Sequence, residues 1–111
     1  MNIETRQEGN VTIMELSGRL DAASAPALRQ TLEGPTSISG ARVLILMRDV
    51  DFVDSSGLAA LVSGMKRSRQ AKGDLKLAEL RHQVRIIFEL TRLDKAFDIH
   101  VDEQGALGAF A

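Results

Sequence analysis

The residues best suited to chemistry in this chain lie in the segment 51–58, which contains two aspartates, two serines and a glycine. The most apolar run of the chain, residues 43–47, precedes it, and apolar residues recur at helical spacing after it, so the segment joins a buried strand to a helix. Asp54 or Ser55 can cap that helix, because a side-chain oxygen accepts hydrogen bonds from the unpaired amides of the first turn. A phosphoryl group on Ser55 would meet the same amides and the positive end of the helix dipole.

A catalytic serine is the alternative chemistry for Ser55. Such a serine needs a base within hydrogen-bond reach, and the chain has two histidines, His82 at the start of a predicted helix and His100 in a predicted strand. Neither belongs to a motif that supports the role, and the first glycine of a Gly-x-Ser-x-Gly elbow is absent. The pattern therefore predicts no catalytic residue.

Asp49, Asp51 and Asp54 form an acidic cluster that invites comparison with a Mg²⁺ site. A receiver-type domain would add an acidic pair after an early strand and a lysine after a late one. The chain has Gly18-Arg19 at the first place and residues 100–102 (His-Val-Asp) at the second. Acidic residues ahead of a helix N-terminus are the simpler interpretation, so no metal site is predicted.

Three stretches of the sequence together resemble one protein family. Residues 52–58 (Phe-Val-Asp-Ser-Ser-Gly-Leu) closely resemble the phosphorylation motif of bacterial anti-sigma factor antagonists, whose single-domain fold is the STAS domain. Residues 16–21 (Leu-Ser-Gly-Arg-Leu-Asp) resemble an early segment of that family, and residues 88–93 (Phe-Glu-Leu-Thr-Arg-Leu) resemble its late Phe-x-x-Thr-Gly-Leu segment. The three occur in the family's order and span nearly the whole chain.

The resemblance implies a role for each residue of the central motif. Ser55 matches the phosphoacceptor, and Ser56 matches a position often filled by Ser or Thr. Asp21 is placed in a loop near the phosphoserine, where it shapes the partner-facing surface together with Asp54 and Ser56. Gly57 is expected to keep the helix start uncrowded, so that a partner's backbone can approach.

The function that the resemblance implies is a switch with no catalysis and no cofactor of its own. The unphosphorylated protein would bind an anti-sigma factor serine kinase and free the sigma factor. The kinase would use ATP to phosphorylate Ser55, and a metal-dependent PP2C-type phosphatase would reset it. The alternative is a STAS interaction module in another assembly, such as a lipid-transport or stress-signalling complex, in which Ser55 is only a helix cap.

Length and composition fit a single domain over residues 1–111, with 44% hydrophobic residues and enough apolar mass for one core. The absence of cysteine excludes disulfides and thiol catalysis and fits a cytoplasmic protein. The net charge of −1, with both signs interspersed, gives no reason to expect nucleic acid as a partner. No stretch approaches the roughly 20 apolar residues of a membrane span.

Periodicity and turn residues predict strands that alternate with helices. Ser24 is expected to cap the first helix, with Pro26 in its first turn, and Gly34-Pro35 to end it; Gly73 is expected to stop the second helix and Asp102 to cap the last. The predicted elements are strands at 3–6 and 11–16 around a turn at 8–10, a helix from 24, a loop at 36–40, a strand at 43–47, a helix at 55–71, a strand at 75–78, a helix at 81–90, a strand at 97–101 and a helix at 102–110.

This order implies an α/β domain. Strands and helices that alternate from residue 43 onward imply right-handed parallel crossovers, joined to an opening antiparallel hairpin. The prediction is a mixed sheet with about four helices, which agrees with the STAS fold. On the second helix, four small residues permit close packing, either inside the domain or against a docked protein: Ala59, Ala60, Ser63 and Gly64.

Two positions depart from the family pattern. Arg48 and Asp49 follow the central strand, where Asp-Leu is usual, and Arg92 replaces the glycine expected between Thr91 and Leu93. A helix that ends on arginine gives up an easy left-handed cap. We expect Arg48 to bear on which kinase is recognised and Arg92 to bear on the shape of the nearby loop.

Overall fold

The chain opens with an antiparallel hairpin, as the spacing of its turn residues predicts. In a computed structural model that describes residues 1–110, β1 (Asn2–Glu8) pairs over all seven of its residues with β2 (Val11–Leu20). Gly9 lies in the connecting turn with a φ of 61°, a left-handed conformation that glycine adopts without strain. The hairpin leaves the other edge of β2 free to pair with the next strand.

Parallel strands continue the sheet in the order β1-β2-β3-β4-β5, and every neighbouring pair after the hairpin is parallel. Within residues 1–110 this architecture confirms the predicted α/β class, mixed sheet and four helices. The remaining elements are β3 (Arg42–Val53), β4 (Asp74–Ala78), β5 (Asp98–His100), α1 (Ala25–Ser37), α2 (Ser55–Gln70), α3 (His82–Leu90), a 3₁₀ turn (Leu93–Lys95) and α4 (Glu103–Ala109).

The apolar centre of β3 is buried on both sides, as its unbroken hydrophobic run predicts. Val43 and Ile45 face the larger core, which lies under α1, α2 and α3, whereas Leu44 faces a smaller core under α4. Leu61 of α2 is fully buried in the larger core, and burial of such a side chain contributes roughly 1.5–3 kcal/mol. Packing of Leu61 therefore helps to hold α2 on the sheet.

β3 runs further than its apolar pattern predicts. It continues through Asp49 and Asp51 to Val53, which pairs with Leu20 at the end of β2. Two register shifts between β2 and β3 let the pairing continue past the polar residues that interrupt the pattern. The segment predicted to join the strand to the helix is therefore shorter than expected, since Asp54 alone lies between the strand and α2.

α1 does not end at Gly34-Pro35 but continues to Ser37, so the predicted loop at 36–40 is also wrong in its first residues. Glycine before proline removes the Cβ that would clash with the proline ring in a helix. The buried Thr36 hydroxyl donates to a carbonyl of the preceding turn at 2.6 Å and accepts from Nη1 of Arg67 in α2 at 3.2 Å. These contacts hold the last turn of α1 in place.

α2 ends in a left-handed residue, but that residue is Lys72, with a φ of 66°, and not Gly73. The amides of Lys72 and Gly73 donate to the carbonyls of Arg69 and Ser68 at 3.0 and 2.8 Å, which is the Schellman pattern. Gly73 is required for a different reason, because a Cβ there would overlap the carbonyl of Ala41. The predicted role of Gly73 is corrected accordingly.

α4 closes the second face of the sheet. Asp102 caps it as predicted, since its Oδ1 accepts from the amide of Gly105 at 2.8 Å. Arg6 of β1 contacts Glu103 at 2.8 Å and so joins the first strand to the last helix. Among residues 1–110, no helix has both the length and the apolar character needed to cross a bilayer.

Candidate functional site

Asp54 organises the start of α2. Its Oδ1 accepts from the amide of Gly57 at 3.0 Å, and its Oδ2 accepts from the amide of Ala22 at 3.2 Å in the loop after β2. Its own amide donates to the carbonyl of Leu20 at 3.1 Å. Asp54, and not Ser55, is therefore the helix cap, and its side chain also joins α2 to the neighbouring loop.

Ser55 is exposed at the first position of α2, and Ser56 beside it is half-buried. Within the described chain, the backbone amides of these two serines donate to no protein acceptor. Both serines line a shallow groove between α1 and α2, together with Ala22, Pro26 and Ala59. The Ser55 hydroxyl is thus open to solvent, with unpaired amides at the positive end of a 16-residue helix.

Asp21 builds the loop between β2 and α1. Its Oδ1 accepts from the amides of Ser24 at 3.2 Å and Ala23 at 3.0 Å, and these hydrogen bonds, that of Ser24 first, lower the pKa of the Asp21 carboxyl. The Ser24 hydroxyl accepts from the amide of Asp21 at 3.0 Å and donates to the carbonyl of Arg19 at 2.7 Å. Ser24 occupies the cap position of α1 without a cap hydrogen bond, so the role predicted for its side chain is wrong.

Gly57 is buried where α2 meets the end of β2. A Cβ at this position would lie 2.6 Å from both the Cγ and the carbonyl oxygen of Leu20. The space beside Gly57 is therefore filled by its own chain, whereas the sequence interpretation left that space open for a partner's backbone. The glycine permits the close approach that lets Asp54 reach the amide of Ala22.

The four small residues of α2 divide between the interior and the groove. Ala60 is 1% exposed, and a Cβ on Gly64 would meet Cδ1 of Leu32 in α1 at 3.0 Å, so these two permit the close packing of α1 on α2. Ala59 is exposed and lines the groove with Ser55, while Ser63 lines its continuation further along α2. Packing inside the domain is confirmed for Ala60 and Gly64, whereas packing of Ala59 and Ser63 against a docked protein stays a prediction.

Two arginines lie close to the site. The guanidinium carbon of Arg19 stacks 3.9 Å from the ring centroid of Phe52, and its Nε lies 3.6 Å from Oδ2 of Asp21. Arg29 of α1 lines the same groove as Ser55, and within residues 1–110 it forms no ion pair. Arg19 is therefore already engaged, whereas Arg29 is a cation without a counter-charge.

The side chains considered for catalysis or metal binding do not converge. In the part of the chain that the structure describes, no group of three or more His, Cys, Asp or Glu residues is arranged to hold a metal ion. His82 is exposed at the start of α3, and His100 contacts Oδ2 of Asp98 at 2.8 Å in β5. Neither histidine lines the groove beside Ser55.

The two departures from the family pattern have distinct structural consequences. The backbone carbonyl of Arg48 accepts from Nε of Arg81 at 2.6 Å, which ties β3 to the start of α3. Arg92 adopts φ 64° and ψ 10°, so this arginine takes the left-handed conformation for which a glycine would be suited.

The sequence interpretation missed three residues that complete the site: Leu20, Ala22 and Arg29. Helical spacing places Pro26 and Arg29 on one side of α1, a signal that was available. Which helix that side faces follows only from the crossover of the chain, since Ala22 meets Asp54 across 32 residues of sequence.

Comparison with known proteins gives a consistent result. The model of the STAS domain matches residues 2–106. The anti-sigma-B factor antagonist of Bacillus subtilis is 32% identical over 107 residues, which cover 96% of this chain and 97% of that protein. The anti-sigma-B factor antagonist of Listeria monocytogenes is 29% identical, over 89% of this chain and 86% of that protein. The crystal structure of an anti-sigma factor antagonist from Mycobacterium paratuberculosis superposes with a TM-score of 0.88 at 26% identity, over 98% and 92% of the two chains.

Proposed function

Because the chain belongs to the STAS domain family, we propose that it is an anti-sigma factor antagonist that is switched by phosphorylation of Ser55. The unphosphorylated form binds an anti-sigma factor that is also a serine kinase, and so frees the sigma factor in the cytoplasm. A PP2C-type phosphatase removes the phosphate and resets the switch. Anti-sigma factor antagonists are non-enzymatic regulators, and the chain is not an enzyme.

The exposure of Ser55 beside unpaired amides is the observation that carries the proposal. In the kinase reaction, Oγ of Ser55 bonds to the γ-phosphorus of ATP, the bond from that phosphorus to the bridging oxygen breaks, ADP leaves and the hydroxyl proton is lost. The phosphoryl oxygens then face donors that have no other protein partner, at the positive end of the helix dipole. The fold is therefore expected to accept the modification.

The partner-facing surface consists of the exposed serine and its immediate neighbours. Ser56 lines the groove with Ser55. Asp21 and Asp54 hold the adjoining loop and the start of α2 in place through hydrogen bonds to backbone amides. Gly57 packs against Leu20 and so lets α2 approach β2 closely. A phosphate adds a charge of about −1.5 to −2 near two carboxylates. A partner that closes over this surface must desolvate that charge, and like-charge juxtaposition at an interface costs several kcal/mol, which amounts to orders of magnitude in affinity.

Calorimetric titration against the candidate kinase, with nucleotide held fixed, tests the switch. Ser55→Ala is expected to bind as tightly as the unmodified protein, because Asp54 and not Ser55 caps α2. Ser55→Asp carries one charge and should bind less tightly, and the phosphorylated protein should bind weakest. Ser39→Asp is the matched control, since it adds the same charge at an exposed serine that does not line the groove, and it should bind as tightly as the unmodified protein.

Equal affinities for all of these proteins would place Ser55 outside the interface and overturn the mechanism. Intact mass and peptide mapping after incubation with the kinase and ATP give an independent check. Phosphate on Ser55 supports the switch, whereas a Ser55 that stays unmodified favours an interaction module in another assembly.

A further inference from the structure

Arg29 lies in the same groove as Ser55, where it can contact a group attached to the Ser55 hydroxyl. It lies one turn after Pro26 on α1, and it lines the groove in which Ser55 and Ser56 form the opposite wall. Side chains of helical residues lean toward the N-terminus of their helix. Beyond the start of α1 this direction leads to Ala22 in the preceding loop, whose amide contacts Asp54 next to Ser55. Arg29 lines the groove both beside Ser55 and in its continuation beside Ser63, so its long side chain lies within the groove.

The charges around the groove make Arg29 distinctive. Of the lining residues, all of which belong to the described chain, Arg29 alone carries a charge. The carboxylates that hold the adjoining loop and the helix start are already hydrogen-bonded, since the two oxygens of Asp54 accept from Gly57 and Ala22 and one oxygen of Asp21 accepts from Ser24 and Ala23. The acidic residue that shares a pocket with Arg29 is Glu33, which lines the continuation of the groove and forms no ion pair with Arg29. Beside Ser55, Arg29 thus faces uncharged residues.

We infer that a phosphoryl group on Ser55 pairs with Arg29 across the groove and is held there within the same chain. The inference rests on the proposed phosphorylation of Ser55, and it adds Arg29 as the residue that binds the phosphate once it is attached. A guanidinium matches phosphate well, because its planar N–H groups bind two oxygens at once. The pairing fills the groove between α1 and α2 and takes away the cation that the unmodified surface offers to a partner.

The test uses the full chain with phosphoserine incorporated at position 55 during synthesis, so that no kinase is required. The readout is the second pKa of the phosphate, followed by ³¹P NMR as the pH is varied. Arg29→Gln removes the charge that favours the dianion, and we expect the phosphate of that variant to titrate about half a pH unit higher than in the parent protein. Arg29→Lys keeps the charge and should recover most of the difference.

Lys66→Gln is the matched control, because Lys66 is exposed on α2 and does not line the groove. Its phosphate should titrate as in the parent protein. Added salt should shrink the effect of Arg29→Gln, since the pair is exposed. Unphosphorylated Arg29→Gln should melt at the parent temperature, which separates the pairing from any effect on the fold.

The inference is overturned if the phosphates of the parent protein and Arg29→Gln titrate at the same pH. That result would leave the switch at Ser55 untouched, because the switch is tested by kinase binding and mass spectrometry. Conversely, a difference between the second pKa values of the two phosphates would support the pairing with Arg29 even if no kinase were found to modify Ser55.

Discussion

Arg92 adopts a backbone conformation that an L side chain disfavours. Its φ of 64° lies in the left-handed region, where the Cβ approaches the following carbonyl. The Arg92 side chain is exposed, and within residues 1–110 its guanidinium forms no ion pair and donates no hydrogen bond. The strain is therefore not offset by any side-chain contact in the described chain.

Replacing Arg92 with glycine should stabilise the protein. Arg92→Gly relieves the strain, although glycine also makes the unfolded chain more flexible, and we expect a net gain of about 0.5–1 kcal/mol in the free energy of unfolding. Urea denaturation measures this difference directly.

Glu89→Gly provides the control, because Glu89 is an exposed residue of the preceding helix with ordinary helical geometry. Glycine there should cost about 1 kcal/mol. If both variants lost the same stability, the left-handed conformation of Arg92 would carry no strain.

At the scale of elements, the sequence predicts most of the architecture because its signals are local. The turn at Gly9, the apolar run of β3 and the cap at Asp102 each act within a few residues, and all three predictions are confirmed. The start of α2 also belongs to this group, although the choice between its two candidate caps needed the structure.

Most of the predictions that failed concern contacts between residues far apart in sequence. The cap at Ser24 is an exception, because its hydroxyl is held by Asp21 and Arg19 a few residues away. The end of α1 depends on a hydrogen bond between Thr36 and Arg67, which are separated by 31 residues. The requirement for glycine at position 73 comes from Ala41, and the length of β3 comes from its pairing with β2. No local pattern encodes such contacts, and for the same reason Arg29 was missed as a groove residue.

The contact between Gly57 and Leu20 shows how closely α2 approaches the end of β2, and it can be tested. Gly57→Ala places a Cβ 2.6 Å from the Leu20 carbonyl oxygen, which is backbone and cannot rotate away. We expect α2 to shift and the protein to lose about 1–3 kcal/mol of stability. The expected loss appears as a lower urea midpoint.

Gly108→Ala serves as the control for this substitution. A Cβ at Gly108 meets nothing within 4 Å, and the residue lies in α4. Alanine there should raise stability by up to about 1 kcal/mol, because it is the better helix former. A Gly57→Ala protein as stable as the parent would mean that the approach of α2 to β2 is looser than the structure indicates.

At the scale of the whole molecule, the two faces of the sheet have different roles. The face under α1, α2 and α3 holds the larger core, and the groove beside Ser55 lies between two of these helices. The face under α4 holds a smaller core and a cluster of charges. There Nζ of Lys76, which is 8% exposed, lies 2.8 Å from Oδ2 of Asp98 and 3.3 Å from Oδ2 of Asp74. The same nitrogen lies 4.9 Å from the ring centroid of Phe110, so the cluster also contacts the residue that ends α4.

This cluster should make the stability of the fold sensitive to acid. Burial raises the pKa of the Asp98 carboxyl, but hydrogen bonds from Lys76 and His100 outweigh it, so the pKa is lowered on folding. A carboxyl with a lowered pKa in the folded state stabilises the fold above its unfolded pKa, and that contribution is lost as the pH falls through the folded value. The sensitive range therefore lies below about pH 4.

Asp98→Asn tests this account. At pH 7 the variant should lose roughly 1 kcal/mol, a modest value because the Asp98 side chain is 41% exposed and Asp74 still pairs with Lys76. Urea denaturation at a series of pH values should show the difference from the parent shrinking below about pH 4.

Asp51→Asn is the control, because Asp51 is exposed on β3 and forms no ion pair within residues 1–110, so its difference from the parent should stay near zero throughout. If the difference for Asp98→Asn instead grew as the pH fell, the carboxylate would destabilise the fold, and the cluster would not be what holds α4 in place.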